Sequence, residues 1–326
     1  MKSNLILAPM AGISDLPFRL LNRKFGAELA FVEMINARSI GHKSKKTVKM
    51  LASTAQDKPL GVQLLGCEPQ YILRALDVLK KFNFDVLDFN AACPAKKVIR
   101  RGEGASLLRD TDKLKSLLRI VVRNSDVPVT IKIRIGWDKD SINAKEVALL
   151  AEDAGVKAIF VHGRTKLQGY SGNVDYGSIK KVKSAVKIPV IASGDVLSAE
   201  LVKKMFDETG CDGVAIARGS LGNPWIFQEA QEYLKKGVAV LKPTAQEIAE
   251  IMLEHLNSSV DFYGDNVGVV KFRKFFGWYT KGLRQVRVLR ERSSQAKTMY
   301  EMSQIIHSSV RPEKQKTPLI SSRGFL

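Results

Sequence analysis

The sequence is poor in cysteine, histidine and acid. It has three cysteines (Cys67, Cys93 and Cys211), an odd set with no CxxC pair. Thiols this sparse exclude a disulfide scaffold or a zinc site as the organising feature. The four histidines (His42, His162, His255 and His307) are scattered without HExxH spacing, so no metal is expected. No run approaches the about 18 uninterrupted apolar residues of a transmembrane helix, so no membrane association is expected. The apolar stretch before Pro9 and Gly12 is too short for a signal-peptide core, which makes a cytoplasmic location the expectation. No GxGxxG follows an early apolar run, which counts against a dinucleotide-binding open sheet. Acids are outnumbered, 33 against 52 basic residues, for a formal charge of +19. That excess suits a polyanionic partner, nucleic acid first. A basic surface kept for solubility, or a Lys-rich heat-adapted composition, would give the same total.

The rest of the composition is that of a globular protein, with 45% hydrophobic and 26% charged residues. Short β-rich apolar runs recur at Leu5–Ala8, Leu29–Glu33, Leu60–Leu65, Val86–Asn90, Val129–Ile135, Ala158–Val161, Val190–Ala192 and Gly213–Ile216. Amphipathic stretches lie between them, such as Pro69–Phe82, Asp112–Arg123, Asn143–Ala154 and Ala199–Glu208. Strands alternating with helices imply a parallel sheet, and eight such units predict a closed (β/α)8 TIM barrel over residues 1–242. A doubly wound open sheet is the alternative.

After Lys242-Pro243 the alternation stops, and residues 243–326 read as a small all-helical C-terminal domain with a loosely ordered tail from Arg311. Thr244–Tyr263 opens with Thr244 as a candidate N-cap and Glu247 three residues on. Lys271–Leu283 and Ser294–Ile306 also look helical. From Lys271 to Lys297 there are nine Lys or Arg and one acid, Glu291, interleaved with Phe272, Phe275, Phe276, Trp278 and Tyr279. The aromatics read as core and the cations as nucleic-acid contacts.

In a (β/α)8 barrel the active site lies at the C-terminal ends of the strands. Cys211 precedes the last run and falls on the opposite face, whereas Cys67 and Cys93 follow the third and fourth. Only Cys93 is followed by a cationic loop, with Lys96, Lys97, Arg100 and Arg101. In Val-Thr-Ile-Lys-Ile-Arg-Ile, period two puts Lys132 and Arg134 on the inner face and Ile131, Ile133 and Ile135 against the helices. Buried cations need an anion. A salt bridge to Asp88 would serve, and so would an anionic cofactor, since His162-Gly163-Arg164 ends the next run. Ser193-Gly194-Asp195 and Ala217-Arg218-Gly219 occupy the position where such barrels hold a phosphate. Gln63 is a polar group in an apolar run that could bond a heterocycle. A phosphorylated ring across the barrel mouth follows, and flavin mononucleotide (FMN) fits.

These residues stand in longer motifs: LAPMAGISDLPFR at 7–19, GVQLLG at 61–66, DFNAACPAKKV at 88–98, IKIRIGW at 131–137, VHGRT at 161–165, ASGD at 192–195, ARGSLGNPW at 217–225 and KFRKFFGWYTKGL at 271–283. Together they resemble the tRNA-dihydrouridine synthases, most of all the bacterial B-type branch, over roughly residues 5–310. The resemblance implies a flavin-bearing barrel followed by a helical tRNA-binding domain. It implies reduction of the C5–C6 double bond of particular uridines in tRNA, with FMN as cofactor and NADPH (or NADH) as reductant. Hydride would pass from flavin N5 to C6, and Cys93 would protonate C5. By the same resemblance the FMN contacts fall on Pro9, Met10, Ala11, Gln63, Lys132, His162, Ser193, Gly194, Asp195, Ala217 and Arg218. Asn90 and Arg134 would face the target uracil. Three small-for-small departures occur: Ser193 for the family's commoner Asn, and Ala92 and Ala217 for Gly.

On this reading the loop from Pro94 to Gly104 is a mobile lid whose cations clamp RNA phosphates while Cys93 stays protonated. A monomer is expected. Two rivals share the residues: a flavin barrel reducing a free small molecule, and a barrel retained only for RNA binding. The basic charge argues against the first, and the joint presence of Cys93, Lys132 and His162 against the second.

Overall fold

The structure is a computed structural model that describes residues 4–40, 45–282 and 286–309. Its strands are β1 (Leu5–Leu7), β2 (Leu29–Phe31), β3 (Ile35–Asn36), β4 (Leu60–Leu65), β5 (Val86–Ala91), β6 (Val129–Arg134), β7 (Ala158–His162), β8 (Val190–Ser193) and β9 (Gly213–Ile216). All pairings between them are parallel, in the order β2-β1-β9-β8-β7-β6-β5-β4-β3. The ring closes where Ala30 of β2 pairs with Leu60 of β4. This is a TIM barrel of eight strands, as expected. The two-residue β3, which pairs with β4, is an addition that the eight apolar runs did not announce. It is too short to carry a periodic signal.

The strands are buried almost throughout, as parallel strands covered by helices must be. Inside the barrel, Ile6, Ala8, Phe31, Phe160, Ile191 and Ala215 form one apolar cluster. Phe31 and Phe160 meet edge to face at 5.5 Å between ring centroids. Gly61 makes room for this pair, because a Cβ there would lie 2.2 Å from the Phe31 ring. On the outer side of β6, Ile131 and Ile133 are fully buried, as the period-two reading requires.

Helices follow the strands at Leu16–Lys24, Pro69–Leu79, Thr111–Asn124, Ala144–Asp153, Tyr176–Ala185, Ala199–Thr209 and Ile226–Lys236. Four start on side-chain caps, from Asp15, Asp110, Asp175 and Ser198, which satisfy backbone N–H groups of the first turn. The helix Leu16–Lys24 is tied down by a buried ion pair. Asp57 accepts from Arg19 at 2.7 and 2.9 Å and from Arg23 at 3.1 Å.

The chain divides into two compact units, Met1–Leu241 and Lys242–Leu326. The described part of the second unit is helical: Ala245–Tyr263, Asp265–Tyr279, Arg287–Gln295 and Met299–Ser308. The first of these opens on the capping box of Thr244 and Glu247. The next starts six residues before the expected Lys271, directly after Gly264. The expected single helix Ser294–Ile306 is two helices. Thr298 caps the second with Glu301, so the chain leaves helical geometry between them. Phe272, Phe275, Phe276 and Tyr279 are buried, as expected for core aromatics. Two of the cations expected to face nucleic acid are instead engaged within this unit: Arg273 donates to the Ala296 carbonyl, and Arg290 donates to Thr280. The expected loose tail from Arg311 lies outside the described residues.

Candidate active site

A cavity of about 480 Å³ opens at the C-terminal ends of the barrel strands. That is within the usual size for a cofactor or small ligand. Cys93 and every residue expected to meet FMN or the uracil line it. Pro9, Met10 and Ala11 follow β1, Gln63 lies in β4, Asn90 lies near the end of β5 and Cys93 follows it. Lys132 and Arg134 come from β6 and His162 from β7. Ser193 ends β8, Gly194 and Asp195 follow it, and Ala217 and Arg218 follow β9. Parallel register brings them together. Asn90 is level with Lys132, Arg134 with His162, and His162 with Ser193.

Lys132 is half-buried and points inward. Its ammonium donates to Ser193 Oγ at 3.2 Å and lies 5.9 Å from the Phe160 ring centroid. It makes no ion pair with Asp88, so the salt-bridge alternative does not hold. Asp88 instead accepts from Gln63 and Thr130, both neutral. Burial pulls the Lys132 ammonium down to about 8, against the pull of Asp88, while Arg134 lowers it further. Burial likewise pushes Asp88 up to about 6, although hydrogen bonds from Gln63 and Thr130 and the Lys132 charge oppose it.

Arg134 is buried and held by backbone carbonyls. Nε donates to Ala92 O at 2.9 Å, and Nη1 to Thr165 O and Gly169 O at 2.9 and 2.8 Å. Its guanidinium also faces the Tyr170 ring at 5.5 Å, and Arg218 faces the same ring at 4.9 Å. Burial keeps His162 neutral, reinforced by Arg134, Lys132, Arg164 and Arg218 around it. Its Nε2 is buried without a hydrogen-bond partner among the described residues. A neutral ring with an unused nitrogen on a cavity wall is ready for a ligand atom.

Arg164 departs from expectation. It does not line the cavity with Lys132, Arg134 and His162. It is buried behind the wall, donating to Gly172 O and to both oxygens of Asp195. Asp195 also receives Arg218 Nη2 at 2.5 Å. Its carboxylate is therefore shared between two guanidiniums. Arg164 in the first place holds it below the usual carboxylate range. Gly194 and Asp195 both have positive φ, 130° and 46°. This turn carries their backbone onto the cavity wall, and the two arginines hold the strained aspartate in place.

Cys93 follows β5, half-buried on the cavity wall. Asn90 Oδ1 accepts from its backbone N–H at 2.9 Å, and its carbonyl accepts from Ala105 N at 3.1 Å. Burial pushes the thiol up, and Glu103 adds to this. The Ala95 N–H and Arg134 pull it down by less. The thiol thus stays protonated. Lys96, Lys97, Arg100 and Arg101 are exposed and are not among the groups that act on it. The loop expected to be a mobile lid contains a short helix, Lys96–Ile99, and a 3-10 turn, Gly104–Arg109. Glu103 is buried between them and accepts from Asn36 Nδ2 at 2.9 and 3.1 Å. Cys67 does not line the cavity, and its thiol donates to Arg101 O at 3.1 Å.

Sequence reasoning missed Met34 and Tyr170 on the cavity wall. Met34 precedes β3, the strand with no apolar run of its own, and its sulfur accepts from Asn90 Nδ2 at 3.2 Å. Tyr170 sits in a loop between Gly169 and Gly172, where no periodicity marks a position.

Comparison with known proteins agrees with this geometry. A family model for dihydrouridine synthase (Dus) matches residues 6–314. A protein named tRNA-dihydrouridine synthase B from Pseudomonas aeruginosa is 42% identical over 288 residues, covering 88% of this chain and 87% of its own. A probable tRNA-dihydrouridine synthase from Rickettsia bellii is 40% identical over 284 residues, covering 87% of each chain. The solved structure of histamine dehydrogenase from Rhizobium sp. 4-9 superposes with a TM-score of 0.54 at 13% identity, over 83% of this chain. The chain spans about half the length of that structure, 49%, and the likeness is one of fold alone. Barrel, cavity and sequence relatives coincide: the chain belongs to the dihydrouridine synthase family and groups with its B-type members.

Proposed function

We propose that this protein reduces the C5–C6 double bond of specific uridines in tRNA to dihydrouridine, with FMN held in the barrel cavity and NADPH as reductant. The observation that carries the reading is the meeting of a protonated thiol, a half-buried ammonium and a neutral histidine whose Nε2 lacks a hydrogen-bond partner among the described residues, on one cavity wall.

The residues fit an FMN. His162 Nε2 and Gln63 offer hydrogen bonds to a ring, and Lys132 offers positive charge where a reduced ring carries negative charge. The Ser193–Asp195 turn and the Ala217–Arg218 segment offer backbone and a cation for the single phosphate. Pro9, Met10 and Ala11 close the side next to β1. When bound and reduced, the flavin supplies the hydride that C6 accepts.

The protein's own groups do the rest. A uridine within tRNA must be turned out of its stack to enter the cavity. Asn90 and Arg134 face it there, and Arg134 is already oriented by three carbonyls. Cys93 holds a proton at Sγ for C5, and burial keeps it there at neutral pH. The basic surface, +19 in total, draws the tRNA in, and the helical unit from Lys242 binds it. The protein acts as a cytoplasmic monomer.

The test combines three measurements on the purified protein: its visible flavin spectrum, NADPH oxidation with and without undermodified tRNA, and mass spectrometry of the recovered nucleosides. The expected result is a flavin spectrum, tRNA-dependent oxidation and a uridine heavier by two hydrogens. Reduction of free uracil without tRNA would move the activity to a small-molecule reductase. A protein that binds tRNA but carries no flavin would overturn the enzymatic reading.

A further inference from the structure

Asp88 is a buried acid that the reaction above does not use. It lies in β5, two residues before Asn90, is 1% exposed and does not line the cavity. Among the described residues no lysine or arginine pairs with it. A buried carboxylate without a cation is costly and must be satisfied by hydrogen bonds. Here they come from its two strand neighbours. Gln63 of β4 and Thr130 of β6 are level with it in the sheet register. Gln63 Nε2 donates to Oδ2 at 2.8 Å, and Thr130 Oγ1 to Oδ1 at 2.7 Å.

The hydrogen bonds continue toward the cavity. Gln63 Oε1 accepts from Asn90 Nδ2 at 2.8 Å. Asn90 Oδ1 in turn accepts from the backbone N–H groups of Ala92 and Cys93, at 3.0 and 2.9 Å. Each amide has a donor end and an acceptor end, whereas an ionised carboxylate only accepts. Asp88 therefore makes Gln63 present its nitrogen downward and its oxygen to Asn90. Asn90 must then turn its own oxygen to the thiol loop. The direction is the same along the whole chain, and a charged end strengthens each bond in it.

We propose that Asp88 is a positioning residue whose carboxylate, acting through Gln63 and Asn90, holds the backbone that carries Cys93 and sets the amide edges that face the cavity. A neutral residue at 88 loses that command. An asparagine there can donate as well as accept, so Gln63 and Asn90 are free to turn over. Asn90 would then set an NH2 against the two backbone N–H groups of the loop, and the loop would release. The turnover part of this inference rests on the function proposed above. The hold on Cys93 does not.

The test is the rate at which iodoacetamide labels Cys93 in the full-length protein as purified, located by peptide mass mapping. Cys67 and Cys211, 6% and 7% exposed, serve as protected references. Asp88→Ala removes the anchor, Asp88→Asn keeps its shape without its charge, and Thr130→Val removes the other bond to the carboxylate without touching Gln63. Labelling is expected to be faster by about five-fold or more in Asp88→Ala, intermediate in Asp88→Asn, and within about two-fold of the parent in Thr130→Val. On tRNA, Asp88→Asn is expected to lower kcat roughly ten-fold with KM unchanged, as for residues that orient a functional group from behind. Equal labelling in all three variants and the parent overturns the proposal. So does an equal rise in Thr130→Val, which would make Asp88 a strut of the barrel. If Asp88→Ala fails to fold by circular dichroism, the labelling rate of Asp88→Asn decides. A colourless parent protein would sink the flavin reading while the labelling series still judges Asp88.

Discussion

Replacing Lys132 with methionine is expected to move two properties in opposite directions. Among the described residues the ammonium has no carboxylate within ion-pair distance, and its one hydrogen bond is to a neutral hydroxyl, Ser193 Oγ. Burial lowers its pKa from 10.5 to about 8. One pKa unit corresponds to about 1.4 kcal/mol, so keeping this lysine charged in the folded protein costs at most about 3.5 kcal/mol. The side chain is only half-buried beside an open cavity, which brings the figure nearer 2 kcal/mol. The folded pKa lies below the unfolded one. The cost is therefore fully present below pH 8 and is relieved as pH rises from about 8 to about 10.5. Methionine has a similar length and no charge. Without flavin, the Lys132→Met protein should melt several degrees higher at pH 7, at about 2–4 °C per kcal/mol for a unit of this size. Its stability should not rise between pH 8 and 10, where the parent's does. With flavin the order should reverse, because the cation proposed to meet the ring is gone and affinity should fall by tenfold or more, at about 1.4 kcal/mol per decade. The assay is differential scanning fluorimetry across pH on apo protein, with flavin titrated by fluorescence quenching. A variant that melts lower than the parent, or that binds flavin equally well, would refute the account of Lys132 as an unpaired cation held for a ligand.

Three other outcomes are expected. Cys93→Ala should keep its bound flavin and its reduction by NADPH but lose about 10²–10⁴ in the rate of dihydrouridine formation, measured by single turnover on tRNA; a normal rate would remove the thiol from the reaction. Asp57→Asn strips the charge that pairs buried Arg19 and should cost about 3–5 kcal/mol in urea unfolding, and a loss under about 1 kcal/mol would contradict the buried pair. His255 in the helical unit is buried against Phe272 and Phe275, and burial lowers it from 6.5 to about 3. Its folded pKa is depressed, so the stability it supports is present above about pH 6.5 and is lost as pH falls toward 3. His255→Phe should flatten that acid limb of the denaturation curve, and an unchanged limb would exclude His255 as its source.

Much of this was legible along the chain, for a physical reason. In β6 the period-two pattern separated Lys132 and Arg134 from Ile131 and Ile133 before any fold was known, because alternate residues of a strand face opposite sides. Strand order then sorted the cysteines, since all barrel strands run in one direction and Cys211 enters one where Cys93 leaves one. The helix starting at Thr244 was readable because both members of its capping box are local. The break between Gln295 and Met299 was missed for the converse reason: a continuous helical pattern there was interrupted by a second cap.

Patterns of period and order are local, and they gave the barrel, its mouth and the inward side of β6; the resemblance supplied most of the other wall residues, and Met34 and Tyr170 escaped both. What each wall residue does to the next depends on partners far apart in sequence. Gln63 meets Asp88 25 positions away, and Asp88 meets Thr130 42 positions away. Arg164 turns to Asp195 behind the wall, 31 positions on. Such pairings are set by strand register and by which carbonyls remain unpaired at a loop, quantities that exist only once the barrel has closed. The same holds for protonation. Sequence placed cations after Cys93, but those cations are solvent-exposed and burial dominates the thiol. Desolvation is a property of the packed molecule, and it is what keeps the Cys93 thiol protonated and makes Lys132 a reluctant cation.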